Sequence, residues 1–556
     1  MSRFSLGIDF GSNSARALIV DIETGEEFGV GTSSYKGGEQ GVYIDASNPH
    51  LARQNPESYL KSMVKCVKEA LKAASAKPGF SPENMVGIGV DTTGSTPLPV
   101  DSTMTPLAST EKFKNNINAY AWMWKDHTGM EEAEKITKTA ARMRPQYLAK
   151  CGGTYSSEWF FSKIWHCLNA DPDVYNSAAS WVEFCDFIPA VLAGIKNPSQ
   201  IKRSICAAGH KAMFCTEWGG LPDNEFLSAL SPELSGLAGK LYNTAYTSDK
   251  VAGTLSKKWA KKLGLREGTP IAVGAFDAHL GAVGAGVSPG KLVKIIGTSS
   301  CDMMVAQSSV KVPDIPGVCG IVDGSILPGC YAIEAGQSAV GDIFNWFVSY
   351  LCEDSHKRFA KLDEEATGLK PGESGLLALD WNNGNRTILV DPKLSGLIMG
   401  MTLHSSQADI YRALIEATAF GARRIIDRIE EYKVGINEII NCGGIAEKNP
   451  LFMQIYADVL GKPMKVTASS QTCALGSAMF GAVAGGAYEK VEEMQDKICR
   501  FKDKIFQPVP ANTAVYNELY RLYCELHDSF GVKEKSFDHY GLMKKLLEIS
   551  SKAKSK

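Results

Sequence analysis

The sequence predicts an α/β protein of two domains, each a mixed sheet flanked by helices, and three observations carry that expectation. The chain has 556 residues, 44% of them hydrophobic, enough for two separate cores. The first ninety residues read β-β-β-α-β, and a fainter copy of that order begins near residue 291.

Taken in order, Leu6 to Phe10 is a strand, Gly11 to Ser14 a turn, and Arg16 to Ile22 a returning strand. Thr24 and Gly25 then turn the chain into a third strand over Glu27 to Tyr35. Leu60, Met63, Val64, Val67 and Leu71 recur at helical spacing, and the compact apolar run Met85 to Val90 is a strand again.

In the copy, Leu292 to Ile296 is a strand, Gly297 to Ser300 a turn, and Asp302 to Val305 the return. A helix follows over about Gln407 to Tyr432, where Ser406 and Asp409 form a capping box and Ile410, Ala413, Leu414, Ala417, Ile425 and Ile429 an inward stripe. A strand over Glu438 to Asn441 and a helix over Leu451 to Leu460 complete it. The expected division places an N-terminal domain at 1–266, a C-terminal domain at 267–490, and a peripheral, charged helical extension at 491–556. There is no low-complexity segment or long linker.

Lys plus Arg (59) nearly balances Asp plus Glu (61), so no long-range field favours nucleic acid or an anionic membrane surface. The expected ligand is small. No secretory apolar segment precedes the first strand, and the uncharged run Cys473 to Tyr488 falls short of the roughly 20 apolar residues that span a bilayer. It reads as a buried helix. None of the 14 cysteines is spaced C-x-x-C, which suits reduced thiols in a cytoplasmic protein.

Tight Gly, Ser and Thr turns present backbone N–H groups to phosphate oxygens. Both hairpin turns qualify: Gly11, Ser12 and Asn13 in the first, Gly297 and Thr298 in the second. Either alone reads as an ordinary hairpin connection; two in matched contexts argue for a phosphate site. Asp9 stands where a carboxylate organises Mg²⁺ and its waters, and Arg16 adds positive charge. No G-x-x-x-x-G-K-[ST] string occurs, and Gly281, Gly284 and Gly286 have the wrong spacing for a dinucleotide fingerprint.

These strings resemble the FGGY carbohydrate kinases along almost the whole chain. Asp9 to Arg16 is similar to that family's first phosphate loop and Gly297 to Ser300 to its second. Gly443-Gly444 with Asn449, Met453 and Gln454 resembles its adenosine segment. Lys163-Ile164-Trp165 and Gly396 to Glu416 are similar to its two signature regions, with Leu414 where a smaller or β-branched residue is more usual. The resemblance implies two RNase H-like domains of actin and hexokinase type around an active-site cleft, with ATP and Mg²⁺ as cofactors. Gly341, Asn345, Gly444 and Asn449 would join the two turns in holding the nucleotide.

Within the family, Trp124 to Thr128, Ala207 to Met213 and Thr96 to Pro99 look like the branch that phosphorylates L-ribulose in L-arabinose catabolism. Thr128 stands where many relatives acting on other polyols carry arginine, which argues against xylulose or glycerol. By resemblance Asp277 is the general base that takes the sugar proton; by its position alone it caps a helix beginning at Ala278. Thr96, Lys211 and Glu334 follow from the resemblance as sugar contacts, whereas read alone Lys211 and Glu334 are surface charges. His210 and His279 read as structural histidines, and Asp91 and Asp126 carry no assignment. Another pentulose or pentitol remains an alternative substrate. A switching ATPase of actin or chaperone type, without a sugar, is the rival reading. A homodimer is left open.

Overall fold

The computed structural model describes residues 2–310, 312–351, 355–533 and 542–555. In the first domain β1 (Phe4–Phe10), β2 (Ser14–Asp21) and β3 (Glu27–Ser34) form the expected antiparallel meander. Helix α1 (Pro56–Ser75) starts on Asn55, whose side chain accepts from Glu57 N, with Pro56 preset in the first turn. Its inward stripe is Tyr59, Met63, Cys66, Val67, Ala70, Leu71 and Ala74. Leu60 and Val64, expected inside, lie at the edge of the core. Strand β4 (Met85–Thr92) then pairs parallel with β1.

A long insertion separates β4 from the rest of its sheet. It carries an aromatic core including Trp122, Tyr147, Phe160 and Trp181, and contains α2 (Phe160–Ala170) and α3 (Ile205–Lys211). The chain then re-enters the sheet as β5 (Val251–Thr254), β6 (Pro270–Ala272) and β7 (Ala275–Phe276), and leaves through α4 (Asp277–Gly284). The seven-stranded order is β5-β6-β4-β1-β2-β3, with β7 on β4. The expected division at 266/267 therefore cuts between two paired strands, β5 and β6. The sheets place the break between α4 and β8, because hydrogen bonding and not the glycine-rich local sequence defines the domain.

The second sheet repeats the first. β8 (Lys291–Ile296) and β9 (Ser300–Gln307) form the hairpin, and β10 (Gly320–Asp323) pairs with β11 (Cys330–Ala335). Helices α5 (Gly341–Leu351) and α6 (Gln407–Glu431) follow, then β12 (Glu438–Cys442). Next come α7 (Pro450–Leu460), β13 (Met464–Val466) and α8 (Thr472–Ala484). The six-stranded order is β10-β11-β9-β8-β12-β13, so β8, β9, β11 and β12 occupy the places of β1, β2, β3 and β4. The capping box of Ser406 and Asp409 is present, and its stripe is buried except for Ile410 at the edge.

One helix of the second domain reaches the first sheet. Helix α8 lies against β1 and β4 of the first sheet, and a Cβ on Gly7 or Gly89 would strike its backbone carbonyls, which is why glycine stands there. The C-terminal extension is not peripheral as expected. Helix α9 (Pro510–Gly531) buries Tyr516, Leu519, Tyr523 and Leu526 in the core of the second domain. Tyr516 OH donates to Glu416 Oε1 and accepts from Arg412 Nη2, both at 2.9 Å. The polar residues between these positions hid that stripe. No described helix is long and apolar enough to cross a membrane.

Candidate active site

Both glycine turns lie at the ends of hairpins on their respective sheets. In the first, Gly11 N donates to Ser14 O at 3.0 Å, and Ser12 Oγ accepts from Trp124 Nε1 at 2.9 Å. Asn13 Nδ2 donates to Gln40 Oε1 at 2.9 Å. Asp9 and Arg16 face each other across the hairpin and pair at 2.8 Å, so Arg16 is tied to Asp9 before any ligand is considered.

The second turn is held by the start of α5. Gly341 N donates to Gly297 O at 3.1 Å and Asp342 N to Thr298 O at 3.0 Å. A Cβ on Gly341 would meet Gly297 O, so Gly341 serves the approach of helix to turn. A Cβ on Gly297 or Gly444 would meet nothing within 4 Å, leaving both backbones facing open space. Beneath the turn, fully buried Lys294 donates to Asp302 Oδ1 at 2.6 Å.

Asn345 is exposed one turn into α5. Asn449 caps α7 by accepting from Phe452 N at 2.9 Å, and its Nδ2 donates to Asp363 Oδ1 at 2.8 Å. Its side chain is therefore engaged within the protein.

Asp277 is the first residue of α4, with Phe276 at the N-cap position, so it does not cap a helix beginning at Ala278 as expected; its Oδ1 accepts from the adjacent Ala278 N at 2.7 Å within the first turn. Burial, followed by the nearby Asp9 charge, pushes its carboxyl up to about 7. Asp91, fully buried on β4, is raised well above the carboxylate range by burial and then by Asp9. Ser477 Oγ from α8 donates to Asp91 Oδ2 at 2.5 Å, while Oδ1 has no protein partner. Asp9 and Asp91 are register partners on paired strands, and Asp9 is near enough to Asp277 for its charge to act on both of the raised carboxyls.

Lys211 and Glu334 are not surface charges. Both are buried, and Lys211 Nζ donates to the two carboxylate oxygens at 2.9 and 3.0 Å. Burial opposes both charges. Even so, Glu334 holds the ammonium above its usual value, and Lys211, with His210 and His279 nearby, holds the Glu334 carboxylate well below its own. The Lys211 ammonium also sits 5.4 Å from the Trp159 ring and 5.9 Å from the Phe276 ring. His210 Nδ1 and His279 Nε2 lie 3.1 and 3.7 Å from Glu334 Oε2. His210 Nε2 meets Ser325 Oγ at 2.8 Å.

Thr96 is fully buried, and its N donates to Glu183 Oε2 at 2.8 Å. Lys163 fixes the same loop by donating to Ser95 O at 2.7 Å and Met123 O at 2.8 Å. Glu183 had no local sequence signal. Lys163 stood in a recognised signature but without a role. Arg386, also missed, donates from Nη2 to Ser300 O at 3.2 Å behind the second turn. Asp126 proves to be a loop anchor: it pairs with Arg53 and accepts from Ala52 N at 2.7 Å and Thr128 N at 3.1 Å.

A duplicated sheet with a glycine turn on each copy, and a raised carboxyl beside a buried Lys–Glu pair between them, is the framework of a carbohydrate kinase. Residues 4–284 match the model of the N-terminal domain of the FGGY family of carbohydrate kinases, and residues 292–485 match the model of its C-terminal domain. The chain belongs to that family.

A ribulokinase of Vibrio parahaemolyticus is 42% identical over 541 residues, covering 94% of this chain and 95% of the relative. A ribulokinase of Halalkalibacterium halodurans is 40% identical, covering 95% of each. Among solved structures, a xylulose kinase from Rhodospirillum rubrum superposes with a TM-score of 0.75 at 21% identity, over 95% of this chain and 99% of that one. Plasmodium falciparum glycerol kinase with ADP gives 0.76 at 15%, over 94% and 98%. These two show the shared fold. Family membership sets aside the switching-ATPase reading: the protein transfers a phosphoryl group to an alcohol of a carbohydrate.

Proposed function

We propose that the protein phosphorylates L-ribulose at the expense of ATP, giving ADP and L-ribulose 5-phosphate, as a cytoplasmic enzyme of L-arabinose catabolism. The observation that carries the reading is Asp277, a carboxyl close enough to both Asp9 and Glu334 for their charges to help raise it. The near-complete alignment with two ribulokinases supports the choice of sugar.

In this reading Asp277 accepts the proton of the attacking hydroxyl, for which a carboxyl near 7 is well matched. Thr96, Lys211 and Glu334 orient the sugar. The backbones of Gly11, Ser12, Asn13, Gly297 and Thr298 receive phosphate oxygens, with Arg16 adding charge. Gly341 shapes the second turn, and Asn345, Gly444 and Asn449 border the adenosine.

The oxygen donors of Asp9 and Asp91, one of them buried without a protein partner, suit a hard cation such as Mg²⁺. Asp9 would hold it. The ion supplies charge neutralisation on the transferring phosphoryl group when bound. Closure of the domains excludes water from the reacting phosphate. Assay of ATP with a panel of pentuloses and pentitols tests the proposal. L-ribulose should give the highest kcat/KM; a higher value for D-ribulose, L-xylulose or ribitol would reassign the substrate.

A further inference from the structure

Neither ring nitrogen of His279 makes a hydrogen bond to the protein, although the side chain is only 2% exposed. An imidazole buried in this way carries a donor and an acceptor whose loss of water is uncompensated. Burial, and then His210, holds this ring well below its usual value, so it is neutral and keeps both functions. Packing fixes its direction: the His210 ring stands edge-on at 4.5 Å and the Phe276 ring at 5.9 Å.

The ring is carried on the first turn of α4, as Asp277 is. Its Nε2 is 3.7 Å from Glu334 Oε2, too far for a direct hydrogen bond. One hydroxyl oxygen at about 2.8 Å from each atom bridges such a gap, accepting from Nε2–H and donating to the carboxylate. His210, His279 and Glu334 also group as metal ligands do. The Lys211 ammonium, however, already lies within 3.0 Å of both Glu334 oxygens, and a second cation there would face it directly. A neutral polyhydroxyl ligand fits this charge arrangement.

We propose that His279 is a further sugar contact, with one hydroxyl of the ketose bridging His279 Nε2 and Glu334 Oε2. This rests on the reading of the cleft as a ketopentose site.

The test is calorimetric binding of L-ribulose without nucleotide, together with thermal melting, for the wild type, His279→Leu and His279→Gln. The leucine variant should lose at least about tenfold in L-ribulose affinity. Its sugar-free Tm should not fall, because an unpartnered polar group is removed. MgATP affinity should stay within about twofold, and glutamine should recover part of the sugar affinity. Unchanged L-ribulose affinity in both variants overturns the proposal, as does a lowered Tm with equal loss of sugar and nucleotide, which marks a packing role. Stoichiometric Zn²⁺ binding to the wild type that is lost in His279→Leu overturns it in favour of a metal site. If the leucine variant does not fold, the glutamine variant carries the same comparison. Failure of L-ribulose to bind even the wild type would instead overturn the substrate reading.

Discussion

Lys211 at the end of α3 and Glu334 on β11 are 123 residues apart in the chain and meet in a two-pronged ion pair of 2.9 and 3.0 Å between the domains. Each charge depends on the other in a buried setting.

Lys211→Met and Glu334→Gln should each raise KM for L-ribulose. Loss of a charged hydrogen-bond partner costs about 1.5 to 3 kcal/mol, or roughly ten- to over a hundredfold. Each single variant also strands a buried charge. Melting of the double variant should show less destabilisation than the sum of the singles, since it leaves neither charge unpaired. Strict additivity would deny the coupling.

Asp277→Asn should abolish turnover and leave L-ribulose binding within about tenfold of the wild type. Turnover within tenfold of the wild type would refute the base assignment. In the wild type, kcat/KM should fall about tenfold per pH unit below about 7, where the carboxyl takes up its proton. The linkage has a definite sign. A folded-state value of about 7 against 3.8 means the folded chain holds this proton more tightly, so stability declines as pH rises from about 4 to 7. The asparagine variant lacks that decline, and its Tm at pH 8 should be no lower than that of the wild type.

Gly297→Val should weaken MgATP far more than L-ribulose and leave Tm nearly unchanged, because a Cβ there meets no protein atom. Gly443→Val is the contrasting control. Its φ of +102° and the nearby Ile296 carbonyl forbid a side chain, so its Tm should fall sharply. Equal melting of the two variants would contradict the distinction.

Tyr516→Phe should lower Tm while KM for both substrates holds. The change removes the hydroxyl that links Arg412 and Glu416 in the buried face of α6, at a cost of about 1.5 to 3 kcal/mol for hydrogen bonds to charged groups. An unchanged Tm would return the extension to a peripheral role.

The local pattern of the sequence was enough to determine the duplicated hairpins, α1, α6 with its capping box, and the two glycine turns. Apolar periodicity and turn chemistry act over a few residues and are readable there. The strand that takes the place of β3 in the second copy, Cys330–Ala335, escaped notice because an additional strand, β10, stands between it and the hairpin, yet it carries Glu334. The break between the domains and the burial of the C-terminal helix also lay outside local reach: strand pairing joins β6 to β4 across most of the first domain, and α9 contributes tyrosines among polar residues. The site divides the same way. Asp9, Asp277 and the glycine turns sit in recognisable strings. That Lys211 and Glu334 form a buried pair, that Lys163 and Glu183 hold Thr96, and that His279 faces Glu334 were decided by the tertiary structure alone. Burial and partnership belong to two distant segments at once, and no single stretch of chain contains both.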